Sequence, residues 1–140
     1  MFKRFVSGLM LTLLLASVLM LIYNFGQVKG AWTGTVYIRA DGRIEPLDAP
    51  IITHDNVTYF LNGSITSSGD GIIVERNNIV VEGEGYTVEG SMASDSKGID
   101  LFERSNVTIK NVTITKFYFG VMLYGSSNNN ISGNKIIDNG

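Results

Sequence analysis

Residues 74–83 read VERNNIVVEG, and residues 102–111 read FERSNVTIKN. The two segments carry Glu, Arg and Asn at matching places, 28 residues apart. Outward from this pair, the same spacing of landmarks continues along most of the chain. Self-similarity at such a period is typical of a fold built from stacked copies of one structural unit.

Two kinds of landmark mark the repeat, and successive landmarks of each kind lie 20 to 28 residues apart. Asn followed by Val or Ile occurs at Asn56, Asn78, Asn106 and Asn130. Gly followed by Ile or Val occurs at Gly71, Gly98 and Gly120, and Gly140 falls where the next is expected. The unit is therefore about 22 residues long.

Within each unit, apolar residues alternate over very short stretches that are rich in Val, Ile and Thr, which indicates strands of a few residues. Gly and Asn separate the strands, as tight corners require. The pattern predicts an all-β parallel solenoid of about three to four coils with three faces. A small β-sandwich is the alternative, and it predicts longer strands without a fixed register between units.

Stacking the coils places equivalent residues above one another. We expect an inward apolar ladder of Ile72, Ile99 and Val121, flanked by a second ladder of Val74, Leu101 and Leu123. At one corner we expect a structural ladder of asparagine amides, formed by Asn56, Asn78, Asn106 and Asn130.

The first thirty residues differ from the rest, since no charged residue occurs between residues 5 and 28. Basic residues before an apolar run indicate a signal peptide, cut before Ala31, or a retained anchor that crosses the membrane through residues 5–25. A buried core helix is the weaker alternative. In both main cases the following domain is exported, to the extracellular face of the membrane or the medium. A retained anchor leaves the N-terminus in the cytoplasm.

We therefore divide the chain into a signal or anchor helix (1–30), an N-terminal cap (31–55) and solenoid repeats (56–140). The repeats are expected to be incomplete, because the chain stops where a new unit starts and no polar cap is visible at that end. We interpret the chain as truncated, as a fragment, or as completed by another chain. Uncapped coils would also allow end-to-end self-association.

The residues after the leader carry eight basic and thirteen acidic side chains, a formal charge of −5. Nucleic acid is an unsuitable partner, because binding to phosphates needs clustered Lys and Arg. The absence of cysteine from the sequence excludes disulfides and thiolate metal sites.

Residues 129–140, NNISGNKIIDNG, resemble the Asn-rich repeat of NosD-like and pectate-lyase-like surface proteins. VYIRADGRIEP at 36–46 and GIIVERNNIVVEGEGYTVEG at 71–90 are similar to the opening of exported archaeal β-helix proteins. The resemblance implies a right-handed parallel β-helix. The repeat motif itself contains scaffold residues and specifies no activity.

NosD-like proteins imply copper handling, but the domain offers only three scattered ligands of a suitable type, His54, Met92 and Met122. We expect no metal site and no cofactor. Pectate-lyase-like proteins imply a polysaccharide lyase or glycoside hydrolase, of which this chain could be a fragment. Acidic residues are frequent on the coils, but no pair specifies catalysis, so the catalytic residues stay unassigned.

If Ile99 and Leu101 point inward, Asp100 and Phe102 point outward beside Tyr124 of the next coil. Rings next to a carboxylate can stack on a sugar and bind its hydroxyl groups, so these three residues are the candidate carbohydrate-binding site. The simpler alternative is an aromatic ladder that covers the sheet. We interpret the neighbouring Glu–Arg pairs of the two quoted segments as an ion-pair ladder between coils.

Five Asn-x-Ser/Thr sequons occur, and Asn62 and Asn111 are the better candidates for glycosylation, because the other three belong to the predicted ladder. The sequence thus favours an exported cell-surface scaffold or carbohydrate-binding module, with a polysaccharide or surface glycan as its partner. The alternatives are an enzyme fragment and a periplasmic copper-handling protein.

Overall fold

A computed structural model describes residues 30–140 of the chain. The signal or anchor helix expected over residues 1–30 lies outside the described residues. Within the described part, no helix has the length and hydropathy needed to span a membrane.

The compact unit Ala31–Gly140 consists of short strands joined by tight corners. Short strands follow from the sequence, because Asn and Gly interrupt the β-branched stretches every few residues. The strands are Trp32–Thr33 (β1), Val36–Ile38 (β2), Ile44–Glu45 (β3), Ile51–Thr53 (β4), Thr58–Leu61 (β5), Ile65–Thr66 (β6), Ile72–Val74 (β7), Ile79–Glu82 (β8), Thr87–Glu89 (β9), Lys97–Asp100 (β10), Val107–Lys110 (β11), Thr113–Thr115 (β12), Phe119–Met122 (β13), Asn130–Ser132 (β14) and Lys135–Ile137 (β15).

The strands form three five-stranded sheets, one on each face of a solenoid. We call them sheet 1 (β1-β6-β9-β12-β15), sheet 2 (β3-β2-β7-β10-β13) and sheet 3 (β4-β5-β8-β11-β14). Three successive turns, β7–β9, β10–β12 and β13–β15, contribute one strand to each sheet, and all their pairings are parallel. The prediction of a parallel β-solenoid is confirmed, with about three turns, and the sandwich alternative is wrong.

Side chains alternate between core and surface along each strand, as in Val107–Lys110, where Val107 and Ile109 are fully buried. Val and Ile make up most of the buried apolar residues. Burying each such side chain contributes about 1.5–3 kcal/mol of transfer free energy. The apolar stack along the axis is therefore the main source of stability.

The predicted inward ladder is confirmed, because Ile72 pairs with Ile99 and Ile99 pairs with Val121. Val74 and Leu101 are buried beside it, as expected. Leu123 is a correction, since its side chain is 44% exposed in the last turn of the structure. It follows β13, where the chain turns away from the sheet.

Residues 31–55, the expected cap, are of two kinds. β1 and β2 pair in parallel with strands of the solenoid. β3 and β4 pair antiparallel with β2 and β5, and each is the outermost strand of its sheet. They therefore cover the backbone edges that β2 and β5 would otherwise expose at this end.

A buried tyrosine joins this end region to the first turn. The hydroxyl of Tyr59 donates a hydrogen bond to the carbonyl oxygen of Gly42 (3.0 Å) and accepts one from Arg76 Nη1 (3.0 Å). Tyr59 is fully buried, so its hydroxyl needs partners in the protein. The β2–β3 turn is thereby tied to the corner after β7.

The asparagine corner precedes sheet 3. Asn56, Asn78 and Asn106 all have positive φ, and Asn106 Nδ2 donates to Asn78 Oδ1 at 3.0 Å. The register corrects the fourth member of the predicted ladder. Asn130 lies in β14 opposite Thr108, and the residue equivalent to Asn106 is Asn128, which also has positive φ.

Candidate functional site

The outer face of sheet 2 brings together the residues predicted to bind carbohydrate. The register across the sheet places Tyr37, Ile73, Asp100 and Met122 in one row. Two residues further along each strand, the same offsets give a second row that ends with Phe102 and Tyr124. Equivalent residues of successive turns thus lie side by side, as the sequence predicted.

Phe102 and Tyr124 are stacked, with ring centroids 5.7 Å apart and an interplanar angle of 7°. We call this pair the aromatic platform. The turn beneath it is rigid, because Leu101 N donates to Met122 O and Glu103 N donates to Tyr124 O, both at 2.9 Å. Phe102 is 46% exposed and Tyr124 is 70% exposed, so their ring surfaces are open to a ligand.

Asp100 lies behind the platform. Its Oδ1 accepts a hydrogen bond from Phe102 N at 2.8 Å, and its side chain is only 15% exposed. Its carboxylate therefore supports the turn that carries Phe102. Of the three predicted binding residues, two present their side chains to solvent and Asp100 positions one of them.

A second group on this face, which we call the lysine cluster, consists of Asp70, Lys97 and Asp100. Lys97 Nζ lies 3.8 Å from Asp70 Oδ2 and 3.9 Å from Asp100 Oδ2. Asp70 Oδ1 also accepts a hydrogen bond from Lys97 N at 2.8 Å. Sequence reasoning missed Lys97, although it stands three residues before Asp100 at the start of β10.

The predicted ion-pair ladder of Glu75, Arg76, Glu103 and Arg104 is wrong. Glu75 pairs with Arg39 at 2.8 Å, and Arg76 donates to Tyr59. Arg104 donates to the carbonyl oxygens of Phe102 and Glu75, at 3.0 and 3.3 Å. The reason is the register at this corner, which places Arg76 against Arg104 in the adjacent turn, so that like charges are neighbours.

Glu103 has an exposed side chain and forms no ion pair with any residue from 30 to 140. A Cβ built on Gly125 would lie 3.1 Å from its Cγ. Its side chain thus lies against Gly125, the residue after Tyr124. This places a free carboxylate at the edge of the aromatic platform.

Three asparagines of the last turn, five residues apart, brace it to the turn before. Asn129, Asn134 and Asn139 accept hydrogen bonds from the backbone amides of Val107, Val112 and Phe117, at 2.9, 3.1 and 3.0 Å. Their Nδ2 groups donate to the carbonyl oxygens of Arg104, Ile109 and Ile114.

These asparagines stand opposite buried apolar residues of the preceding turn. Sequence reasoning chose Asn130 and missed them. The five-residue spacing in NNISGNKIIDNG was the available signal.

Glu82 is the buried carboxylate of the solenoid, with a side chain that is 8% exposed. Burial alone would raise its pKa. Hydrogen bonds from Lys110 Nζ (2.9 Å) and Asn111 Nδ2 (2.9 Å) more than offset burial and hold the pKa of Glu82 below its ordinary value. Its role is structural, since it joins β8 to the next turn.

The two candidate glycosylation residues differ in their surroundings. Asn62 is exposed in the turn between β5 and β6, whereas the Asn111 amide is engaged with Glu82. Among the described residues, no three His, Cys, Asp or Glu side chains are grouped as a metal site. His54 is exposed in the turn after β4, and Met92 is exposed after β9. Met122 lies on the outer face of sheet 2.

Taken together, the three parallel sheets and the stacked equivalent residues define a β-solenoid with one aromatic and charged face. A comparison with protein-family models matches the family described as "Right handed beta helix region" over residues 51–140. The chain belongs to this family. Searches among curated proteins and among solved structures gave no significant match.

Proposed function

We propose that the protein is an exported, cell-surface β-helix module that binds carbohydrate on the outer face of sheet 2. The single observation that carries this proposal is the exposed, coplanar Phe102–Tyr124 stack. Apolar ring area of this kind is usually buried in a monomer, and a flat aromatic surface fits the apolar face of a pyranose ring.

Export rests on the leader, whose basic start and apolar run are typical of a signal peptide or an anchor. The solenoid supplies the rigidity that such a platform needs. Phe102 and Tyr124 come from adjacent turns held by backbone hydrogen bonds, so both rings are held in place before a ligand arrives. Little ordering free energy would then oppose binding.

The test is a glycan array followed by titration of the full chain with the best oligosaccharides. Phe102→Ala and Tyr124→Ala are expected to weaken binding by at least tenfold each. Tyr86→Ala is the matched control, because Tyr86 is also a partly exposed aromatic residue but lies at the corner before β9. Binding that survives both platform substitutions, or no binding to any glycan, would refute the proposal.

The lysine cluster favours a second candidate, glycoside hydrolysis. Asp70 and Asp100 both face one lysine ammonium group, so their carboxyl groups lie on the same face within reach of one glycosidic bond. One carboxyl group would donate a proton to the leaving oxygen while the other accepted a proton from the attacking water.

This candidate predicts new reducing ends when polysaccharide is incubated with the chain. Asp70→Asn should abolish their release, and Asp95→Asn, at an exposed corner, should not. If no polysaccharide is cleaved, the candidate fails while the binding proposal stands.

A further inference from the structure

The charges around the aromatic platform are distributed unevenly. Lys97 lies between Asp70 and Asp100, and Arg39 contacts both Glu45 and Glu75. The basic groups on the sheet itself are therefore already paired with carboxylates. Glu103, beside the platform, has no basic partner among residues 30–140.

Arg104 is the nearest remaining cation in sequence, and it is directed away from Tyr124. Its Nη1 donates to the carbonyl oxygen of Glu75, which belongs to the preceding turn. Glu103 instead lies against Gly125, in the following turn, on the side where Tyr124 lies. The solvent-facing edge of the platform is therefore negatively charged.

We infer that the aromatic platform selects saccharides that carry free ammonium groups, with Glu103 as the residue that determines this preference. The inference rests on the proposed carbohydrate binding and names its ligand class. An ammonium group on a sugar stacked over Phe102 or Tyr124 would gain from the ring faces and from the carboxylate together. Acidic glycans would be repelled by Glu103 and by the formal charge of −5 on residues 31–140.

The experiment titrates the full chain with three hexasaccharides of matched length, made of glucosamine, N-acetylglucosamine and galacturonic acid. Titration at about pH 6 keeps an exposed glutamate ionised, since its ordinary pKa is about 4.3. We expect the glucosamine hexamer to bind at least fivefold more tightly than its acetylated form. The galacturonic acid hexamer should bind most weakly.

Glu103→Gln should reduce the preference for glucosamine over N-acetylglucosamine to less than twofold and leave N-acetylglucosamine binding unchanged. Glu84→Gln is the matched control. Glu84 is also an exposed glutamate with positive φ, 50° against 55° for Glu103, but it lies at the corner after β8. This control should keep the full preference.

Equal binding of the glucosamine and N-acetylglucosamine hexamers, lost in Phe102→Ala, would overturn this inference and leave the proposed function standing. No binding of any hexamer, or of any glycan on the array, would overturn both. Hexalysine serves as a further probe. If it binds as tightly as the glucosamine hexamer and depends equally on Glu103, the site recognises polycations in general and the saccharide preference is wrong.

Discussion

Asn106 donates a hydrogen bond from Nδ2 to Oδ1 of Asn78, 3.0 Å away in the adjacent turn. Both residues have positive φ, which asparagine tolerates better than most side chains. The pair therefore satisfies two requirements of one corner, the backbone conformation and the contact between turns. Asn56 and Asn128 occupy the equivalent places in the turns on either side.

The first prediction separates this corner from the strand that follows it. Asn106→Ala should destabilise the solenoid by about 1–2 kcal/mol, because alanine is strained at positive φ and the hydrogen bond is lost. Urea unfolding measures the change. Asn106→Gly removes only the hydrogen bond and should cost less than the alanine variant. Asn130→Ala, at an exposed position in β14, should change stability by less than about 0.5 kcal/mol. A larger loss from Asn130→Ala than from Asn106→Ala would contradict the register.

The glycine landmarks suggest a second test. A Cβ on Gly98 would collide with Ile114 Cγ2 and with the carbonyl oxygen of Gly120. Gly98→Ala should therefore cost about 1–3 kcal/mol, since the core must shift to accept it. Gly69 is the control, because a Cβ there meets nothing within 4 Å and its φ is ordinary. Thermal unfolding of both variants gives the comparison, and equal stability would show that the close approach does not exist.

Glu82 gives the domain a specific sensitivity to acid. Its pKa is held below the ordinary value in the folded state, so its ionised form stabilises the fold at pH values above the unfolded pKa of about 4.3. That contribution is lost as the pH falls through the lower folded-state pKa. Wild-type stability should therefore fall more steeply between pH 6 and pH 3 than that of Glu82→Gln. Chemical denaturation across this range measures both slopes, and parallel slopes would refute the assignment.

The asparagine braces of the last turn predict a local effect on backbone protection. Asn134 Oδ1 accepts a hydrogen bond from Val112 N, so Asn134→Ala leaves that amide without its partner. The cost should be about 1–3 kcal/mol, and hydrogen exchange at Val112 should accelerate strongly. Lys135→Ala, at the next and exposed residue, should leave exchange at Val112 unchanged. Unaltered protection in Asn134→Ala would show that the brace is not formed in solution.

Much of the candidate site could be predicted from the sequence, because strands alternate inward and outward residues. With Ile99 and Leu101 inside, Phe102 and Tyr124 had to meet on the outer face. The partners of the charged residues could not be predicted in this way. Arg76 contacts Tyr59, 17 residues away, and Asp100 is held by its own turn and by Lys97.

The sequence by itself determined the parallel solenoid, the short strands and the ladder of Ile72, Ile99 and Val121, because β-branched residues at a fixed period can be buried only by stacking turns. Only the tertiary structure decided the register at each corner, since the units differ in length. It placed Asn128, and not Asn130, below Asn106. It also left Glu103 without a cation beside the platform, because an ion pair depends on which corner side chains lie within a few ångströms of each other across the turns.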